Sequence, residues 1–187
     1  MKKIFIVDGP SGCGKTSVAI GLEKLSNNIK YICSATIREK RPEEIDGKEH
    51  FFISPEEFEK KVQNNDFIGQ YDLYFTRYGI EKSKILGCKA ENIILTYHSE
   101  EGTLKDDIKK MGIPFKTILL LPDDATKLRE RLVGRNPKIK ENEIEVRINQ
   151  YYKMLGYQDK YNYVFINKQG HLQELVQEVF EVINKNE

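Results

Sequence analysis

The 187-residue sequence lacks several features on which whole classes of proteins depend. It has no tryptophan and three cysteines, Cys13, Cys33 and Cys88, at spacings typical of neither a disulfide framework nor a metal site. No apolar run approaches the roughly 20 residues of a membrane-spanning helix. The apolar stretch at the N-terminus is too short for a signal peptide. We therefore expect a soluble, cytoplasmic protein with reduced thiols.

An excess of charge of one sign is also missing. Lysine and arginine total 30 and aspartate and glutamate total 29, so the formal net charge is +1. A chain this balanced has no global field to attract nucleic acid or an acidic membrane, and it carries no stripe of basic and aromatic residues. We expect neither partner, and any anion-binding surface must be local. The oligomeric state stays open.

Short buried-strand patterns alternate with amphipathic stretches of helix length, which favours an α/β fold with a parallel sheet covered by helices on both faces. Strands are predicted at 4–7, 31–36, 92–95, 117–121 and 163–166, with one or two more within 67–78. Helices are predicted at 15–25, 143–155 and 172–183. Two more are predicted to begin at capping residues, one at Ser54 and one at Asp123, the second ending at about 133.

Two charged segments interrupt this alternation, and the chain length fits one domain. We expect a core of residues 1–34, 81–134 and 143–187, an insertion at about 35–80 and a lid at about 135–142.

Residues 9–16 match the pattern Gly, four residues, Gly-Lys-Ser/Thr, and lie between a predicted strand and a predicted helix. Glycines let backbone N–H groups converge on phosphate oxygens, and the helix N-terminus adds positive potential. Lys15 is expected to neutralise the β- and γ-phosphates of ATP or GTP, and Thr16 to offer its hydroxyl to Mg²⁺. A Gly-rich turn without a ligand is the alternative. The predicted nucleotide-binding residues are Gly9, Pro10, Ser11, Gly12, Cys13, Gly14, Lys15, Thr16 and Ser17.

Further motifs extend over nearly the whole chain. They comprise residues 9–17, 34–47, Phe52, 54–68, 78–79, 121–122, 131–135, Arg147 and 163–167. Together they resemble the guanylate kinase family. The resemblance implies a P-loop NTPase-type core with a nucleoside-monophosphate-binding insertion and a lid, and it implies ATP and Mg²⁺ as cofactors.

The resemblance also assigns roles to side chains. It implies that the acceptor phosphate is held by Ser34, Arg38, Arg41 and Tyr78. It implies that Arg131, Arg135 and Arg147 act with Lys15 on the transferring phosphoryl group, and that Asn167 lies near the adenine. These roles suit the chemistry, since guanidinium groups hold phosphate bidentately and stay charged. Taken alone, Arg38 and Arg41 are equally consistent with solvated charges beside Glu39, Glu43 and Glu44. The other three arginines, taken alone, are more often surface charges that pair with Glu130 or Glu141.

Four departures from the family pattern bear on the acceptor. The guanine-reading glutamate falls on Gly69, a small hydroxyl residue on Ile80, a phosphate-contacting tyrosine on His50, and an acidic strand end on residues 96–98. We expect His50 to contact phosphate, more strongly when protonated. Candidate replacements for the base contact are Gln70, Asp72, His98 and Glu100, and candidates to support Mg²⁺ beside Thr16 are Asp8, Glu100 and Glu101.

The leading hypothesis is an ATP-dependent nucleoside-monophosphate kinase that converts GMP or dGMP to the diphosphate. Two alternatives stay open. One is a related kinase acting on another nucleotide or on a sugar phosphate such as ribose bisphosphate. The other is a catalytically silent, guanylate-kinase-like binding module.

Overall fold

The computed structural model describes residues 2–73, 76–97 and 103–185. In chain order its elements are β1 (Lys3–Asp8), α1 (Lys15–Leu25), β2 (Ile29–Tyr31), β3 (Ala35–Thr36), β4 (Phe51–Phe52), α2 (Pro55–Gln63), β5 (Phe67–Leu73), β6 (Thr76–Glu81), α3 (Lys82–Gly87), β7 (Asn92–Thr96), α4 (Leu104–Lys110), β8 (Phe115–Pro122), α5 (Ala125–Arg135), α6 (Glu141–Leu155), β9 (Tyr163–Asn167) and α7 (Leu172–Asn184).

The larger sheet has five parallel strands in the order β2-β7-β1-β8-β9. Its central strands β1, β7 and β8 are apolar on both faces because helices cover both faces there. Phe5, Val7 and Leu120 pack with α1 and α7 on one face. On the other face, Ile6 and Leu95 belong to a cluster that includes residues of α3 and α4, and the alternate residues of β8 pack with α5 and α6.

The carboxyl ends of the central strands β1, β7 and β8 therefore meet at one edge of this sheet, where ligands bind in open α/β folds.

The smaller sheet has four strands in the order β4-β3-β6-β5, with β5 and β6 forming an antiparallel hairpin. Helix α2 packs on it through Phe58, which lies 4.8 Å from Phe67 between ring centroids. Ser54 begins this helix as predicted, because its hydroxyl accepts a hydrogen bond from the backbone N–H of Glu57 at 3.1 Å. The hairpin faces the edge at which the strands of the larger sheet end.

Most predicted elements are confirmed, and two details are wrong. The predicted strand at 31–36 is two strands, because Tyr31 pairs within the larger sheet while Ala35 and Thr36 pair with β4 and β6. The N-cap of α5 is Asp124, which accepts from the N–H of Lys127, rather than Asp123.

Three short elements, β4, α3 and α4, were not predicted, since two to seven residues carry too little periodicity. Within the described ranges, no helix is long and apolar enough to cross a bilayer. All three cysteines are free thiols.

Candidate active site

The loop between β1 and α1 takes its shape from its glycines, and a residue at the end of the edge strand β9 holds it in place. Gly14, the residue before α1, has a φ of 97°, and a Cβ at this position would collide with the Nδ2 atom of Asn167. That same Nδ2 donates to the carbonyl oxygen of Cys13 at 2.8 Å. Asn167 at the end of β9 therefore fastens the loop, and position 14 admits only glycine. Whether Asn167 also contacts adenine stays a prediction.

Lys15 and Thr16 open α1 at the floor of a cleft. The ammonium group of Lys15 donates to the carbonyl oxygens of Gly9 at 2.6 Å and Pro10 at 3.1 Å, so it folds back over the loop. Thr16 is half-buried and lines the same cleft. Cys13 is fully buried beneath the loop, and burial raises the pKa of its thiol despite the nearby Lys15 charge, so the thiol is inert.

Asp8 serves as an anchor for the loop. Its carboxylate is completely buried and accepts from the backbone N–H of Gly9 at 2.7 Å and from the hydroxyl of Tyr161 at 2.6 Å. Both oxygens are thus engaged by protein donors, which does not favour Asp8 as a metal ligand. Over the described ranges, no cluster of three or more His, Cys, Asp or Glu residues has metal-binding geometry. The residues present fit a Mg²⁺ ion held by the Thr16 hydroxyl, phosphate oxygens and water.

The two arginines of the insertion are held together by one buried glutamate. Arg38 donates to both carboxylate oxygens of Glu44, at 2.7 and 2.5 Å, and Arg41 donates through its guanidinium at 3.1 Å and its backbone N–H at 2.9 Å. Burial alone would raise the pKa of Glu44, but these donors lower it to about 2. Burial and the charge of Arg38 lower the pKa of Arg41. Glu44 therefore fixes both guanidinium groups at the cleft before any anion binds.

His50 lies beside these arginines as a neutral side chain. Its Nδ1 is 3.0 Å from the hydroxyl oxygen of Ser34, and its ring centroid is 5.5 Å from that of Tyr78. Burial, reinforced by the Arg38 charge, lowers the pKa of His50 to about 4. A protonated His50 is therefore not the ground state near neutral pH, because burial disfavours the charged imidazolium and the surrounding cations oppose a further positive charge.

Helices α5 and α6 bring a second set of arginines to the cleft. Arg131 donates to the backbone oxygen of Asn167 at 2.7 Å, and its buried Nη1 has no hydrogen-bond partner among the described residues. Arg135, one turn later, donates to the hydroxyl of Ser11 at 3.2 Å. Arg147 is buried and donates to the backbone oxygen of Glu143 at 2.9 Å. All three line the cleft.

These cations crowd one another. The side chain of Arg135 reaches solvent at the rim, yet partial desolvation inside the cleft and the charges of Arg41, Arg147 and Arg38 lower its pKa to about 10. Like charges that surround an open volume repel one another, and a bound polyanion stabilises such an arrangement.

One cleft of about 700 Å³ brings most of the predicted site residues together. Its lining includes Ser11, Gly12, Gly14, Lys15, Thr16, Ser17, Arg38, Arg41, His50, Tyr78, Arg131, Arg135, Arg147 and Asn167. Gly9, Pro10, Cys13 and Ser34 are outside this lining: the first three shape the loop, and Ser34 contacts His50.

The lining also contains residues that sequence reasoning did not single out. Tyr71, Leu73 and Thr76 come from the β5–β6 hairpin, and residues 168–170 follow Asn167. Tyr97, part of the departure at residues 96–98, also lines the cleft. No local motif marks them, since strands distant in the chain bring them together. Of the candidate base contacts, Gln70 and Asp72 do not line the cleft, and Asp72 lies 3.6 Å from Arg77 on the outside of the hairpin. His98, Glu100 and Glu101 lie outside the described residues.

Comparisons with known proteins agree with this geometry. The family model for guanylate kinase matches residues 1–186. A guanylate kinase of Clostridium tetani is 34% identical over 170 residues, covering 90% of this chain and 79% of the relative. That of Thermotoga maritima is 31% identical over 183 residues, covering 97% and 86%.

Among solved structures, guanylate kinase from Anaplasma phagocytophilum superposes with a TM-score of 0.74 at 22% identity, covering 97% of this chain and 84% of that one. A tunicamycin resistance protein of Deinococcus radiodurans shares the fold more distantly, with a TM-score of 0.52 at 15% identity over 98% of this chain and 96% of that one. The whole-length family match and the sequence identity to curated relatives establish that the chain belongs to the guanylate kinase family.

Proposed function

We propose that this chain is an ATP-dependent nucleoside-monophosphate kinase that transfers the γ-phosphoryl group of ATP to GMP or dGMP, giving ADP and the nucleoside diphosphate. One observation carries the proposal: the phosphate-binding loop and two separate groups of arginines line a single cleft. Such an arrangement suits two phosphorylated substrates meeting end to end. Family membership supports the same reaction.

In the proposed mechanism, residues 9–16 hold the phosphates of ATP, and Lys15 turns from its carbonyl partners to the β- and γ-phosphates. The acceptor phosphate binds Arg38 and Arg41, with Tyr78 and the Ser34–His50 pair beside it. Residues 35–80 are the proposed acceptor-binding insertion.

Residues 135–142 are the proposed lid. Its closure would move Arg135 toward the transferring group, which Arg131 and Arg147 approach from the core. Cationic groups stabilise the charge on the equatorial phosphoryl oxygens, and positioning supplies most of the remaining rate enhancement.

When bound, Mg²⁺ would neutralise charge on the β- and γ-phosphates, and the Thr16 hydroxyl is its proposed protein ligand. Because protein donors engage both oxygens of Asp8, we propose no direct ligation by that residue. A cytoplasmic location, where ATP and nucleoside monophosphates are available, completes the proposal.

The test is ADP release from ATP and Mg²⁺ in the presence and absence of GMP. We expect GMP-dependent release in the wild type and a loss of about 10²–10³-fold or more in Lys15→Ala, because a charge that stabilises the transition state is removed. Lys24→Ala, an exposed lysine in the last turn of α1, is the control and should keep its activity. Wild-type rates in Lys15→Ala contradict the mechanism, and ATP binding without any transfer favours a silent binding module.

A further inference from the structure

A second cavity, of about 800 Å³, lies between the core and the proposed acceptor-binding insertion. Helices α1 and α3 and strand β2 line it from the core, and the insertion contributes Gly47, Lys48 and Phe51. Among the described residues, its lining and that of the cleft have none in common. The proposed phosphoryl transfer therefore does not account for this second cavity.

Part of its wall is apolar. Ile20, Phe51 and Cys88 line the second cavity and are half-buried, so they keep surface that a ligand can cover. Tyr31 and Cys33 also line it and are buried, at 6% and 4% exposure, which makes this wall continuous with the core. Covering apolar surface of this kind favours a ligand with an apolar body.

The solvent side of the second cavity is positively charged. Among its described lining residues one is a glutamate and five are lysines, in a chain whose net charge is only +1: Lys24, Lys30, Lys48, Lys84 and Lys89. Glu23 is engaged with Lys30 at 2.5 Å, and the nearby Asp46 and Glu49 accept from backbone N–H groups of their own loop. The excess of lysine favours an anionic ligand.

Lys84 is the least exposed of these lysines and places its charge beside the apolar wall. Its Nζ lies 3.1 Å from the ring centroid of Phe51. The carboxylate of Glu81 is 3.8 Å from this ammonium group and lies closer, at 3.4 Å, to that of Lys61. An ammonium group next to an aromatic ring suits a ligand whose anionic group is attached to an apolar body.

The second cavity and the cleft share a wall. His50, directly before β4, lines the cleft, and Phe51, the first residue of β4, lines the second cavity. Tyr31 lines the second cavity and shares a hydrogen bond of 3.2 Å with the hydroxyl of Thr96, which lines the cleft. Whatever occupies one space therefore contacts residues that are covalently or hydrogen-bonded to the lining of the other.

We propose that the second cavity binds a small organic anion, an apolar or aromatic body that carries one phosphate, sulfonate or carboxylate group, and that its occupation strengthens acceptor binding. The apolar body covers Ile20 and Phe51, and the anionic group pairs with Lys84. Because a ligand stabilises the arrangement to which it binds, it holds β4 in the position that places His50 at Ser34. The coupling rests on the proposed kinase function, whereas the site itself does not.

Alkylation of Cys88 reports occupation of the site without any measurement of activity. Cys13 and Cys33 are buried, and burial raises the pKa of both thiols, that of Cys33 to about 12, so we expect neutral iodoacetamide to modify Cys88 first. Phenyl phosphate, the test ligand, should slow this modification about tenfold at about ten times its dissociation constant. Phenol and inorganic phosphate each carry half of the required chemistry and should protect only at much higher concentrations. No slowing by about 10 mM phenyl phosphate, well above the dissociation constants of weak specific ligands, overturns the site.

Lys84→Gln tests the anionic contact, since it removes the charge and keeps a long side chain beside Phe51. We expect the half-protecting concentration of phenyl phosphate to rise about tenfold, the loss of one charged hydrogen bond. Lys109→Gln, at an exposed lysine of α4 outside both linings, is the matched control. Equal values in Lys84→Gln and wild type overturn the assigned site. Arg41→Ala should keep the protection, and its loss in that variant assigns the effect to the cleft and likewise overturns the site.

The same assay with and without GMP measures the coupling. Because coupling between two sites is reciprocal, GMP bound in the cleft should lower the half-protecting concentration of phenyl phosphate about fivefold or more. An unchanged or higher value refutes the coupling. If calorimetry shows that GMP does not bind, the proposed function and the coupling fail together, while protection by phenyl phosphate alone still decides whether the site exists.

Discussion

Replacing Glu44 by glutamine removes the charge that holds Arg38 and Arg41 together. The Glu44 side chain is 9% exposed, and its two partners are 15% and 30% exposed, so solvent screens these ion pairs only modestly. The folded protein lowers the pKa of Glu44 from 4.5 to about 2. At 1.36 kcal/mol per pKa unit, this corresponds to about 3 kcal/mol of stability at pH 7.

The pH dependence has a definite sign. A carboxyl group whose pKa is lower in the folded state than in the unfolded state contributes stability above the unfolded value, and that contribution is lost as pH falls toward the folded value. For Glu44 the window runs from about pH 4.5 down to about pH 2. The stability difference between wild type and Glu44→Gln should therefore shrink from about 3 kcal/mol at pH 7 to about 1 kcal/mol at pH 3.

Urea denaturation at both pH values, on wild type, Glu44→Gln and the control Glu43→Gln, measures this difference. Glu43 is the adjacent exposed glutamate, and its variant should differ from wild type by less than about 0.5 kcal/mol. If Glu44→Gln is as stable as Glu43→Gln at pH 7, the ion pairs do not stabilise the fold. If its deficit is equally large at pH 3, the deficit arises from packing rather than from charge.

Two further substitutions test the acceptor site and the insertion. Arg41→Ala should raise the KM for the acceptor about 10- to 100-fold, because a hydrogen bond to a charged group contributes about 1.5–3 kcal/mol, and should leave the KM for ATP near its wild-type value. Steady-state kinetics with Arg77→Ala as the control check this, and an unchanged acceptor KM removes Arg41 from the site. Ser54→Ala should lower the free energy of unfolding by about 1 kcal/mol through loss of the N-cap of α2. Urea denaturation measures it, and an equal loss in the exposed control Ser83→Ala contradicts the capping role.

The features that could be predicted from sequence are those that neighbouring residues in the chain determine. The phosphate-binding loop is one run of residues, and its strand–loop–helix setting follows from neighbouring segments. Helix α1 begins and ends at the predicted residues, Lys15 and Leu25. The N-cap of α2 was also predictable, because Ser54 and Glu57 are three residues apart and the cap needs no distant partner.

What could not be predicted depends on contacts between distant segments. Asp123 and Asp124 are equally good caps by sequence, and Asp123 is diverted because its carboxylate accepts from the N–H of Gln169 at 2.9 Å. The ring contact between Tyr71 and Tyr97, with centroids 4.7 Å apart, joins the smaller sheet to the residue after β7 of the larger sheet. Glu44 is one of several glutamates beside Arg41 in sequence, and only the folded loop selects it as the partner of both arginines.

The crowding of positive charge in the cleft affects how strongly the two substrates bind together. Burial, followed by the charges of Arg41, Arg147 and Arg38, lowers the pKa of Arg135, so these four arginines are more favourable together when an anion lies between them. Glu44 offsets part of this repulsion, because its negative charge favours the charged forms of Arg38, Arg41 and Arg135. Phosphates of ATP or of the acceptor each bring negative charge between the arginines, so either substrate reduces the repulsion that the other would meet. Binding of the two substrates is therefore expected to be mutually favourable, and closure over both, which excludes water, to be more favourable than closure over ATP alone.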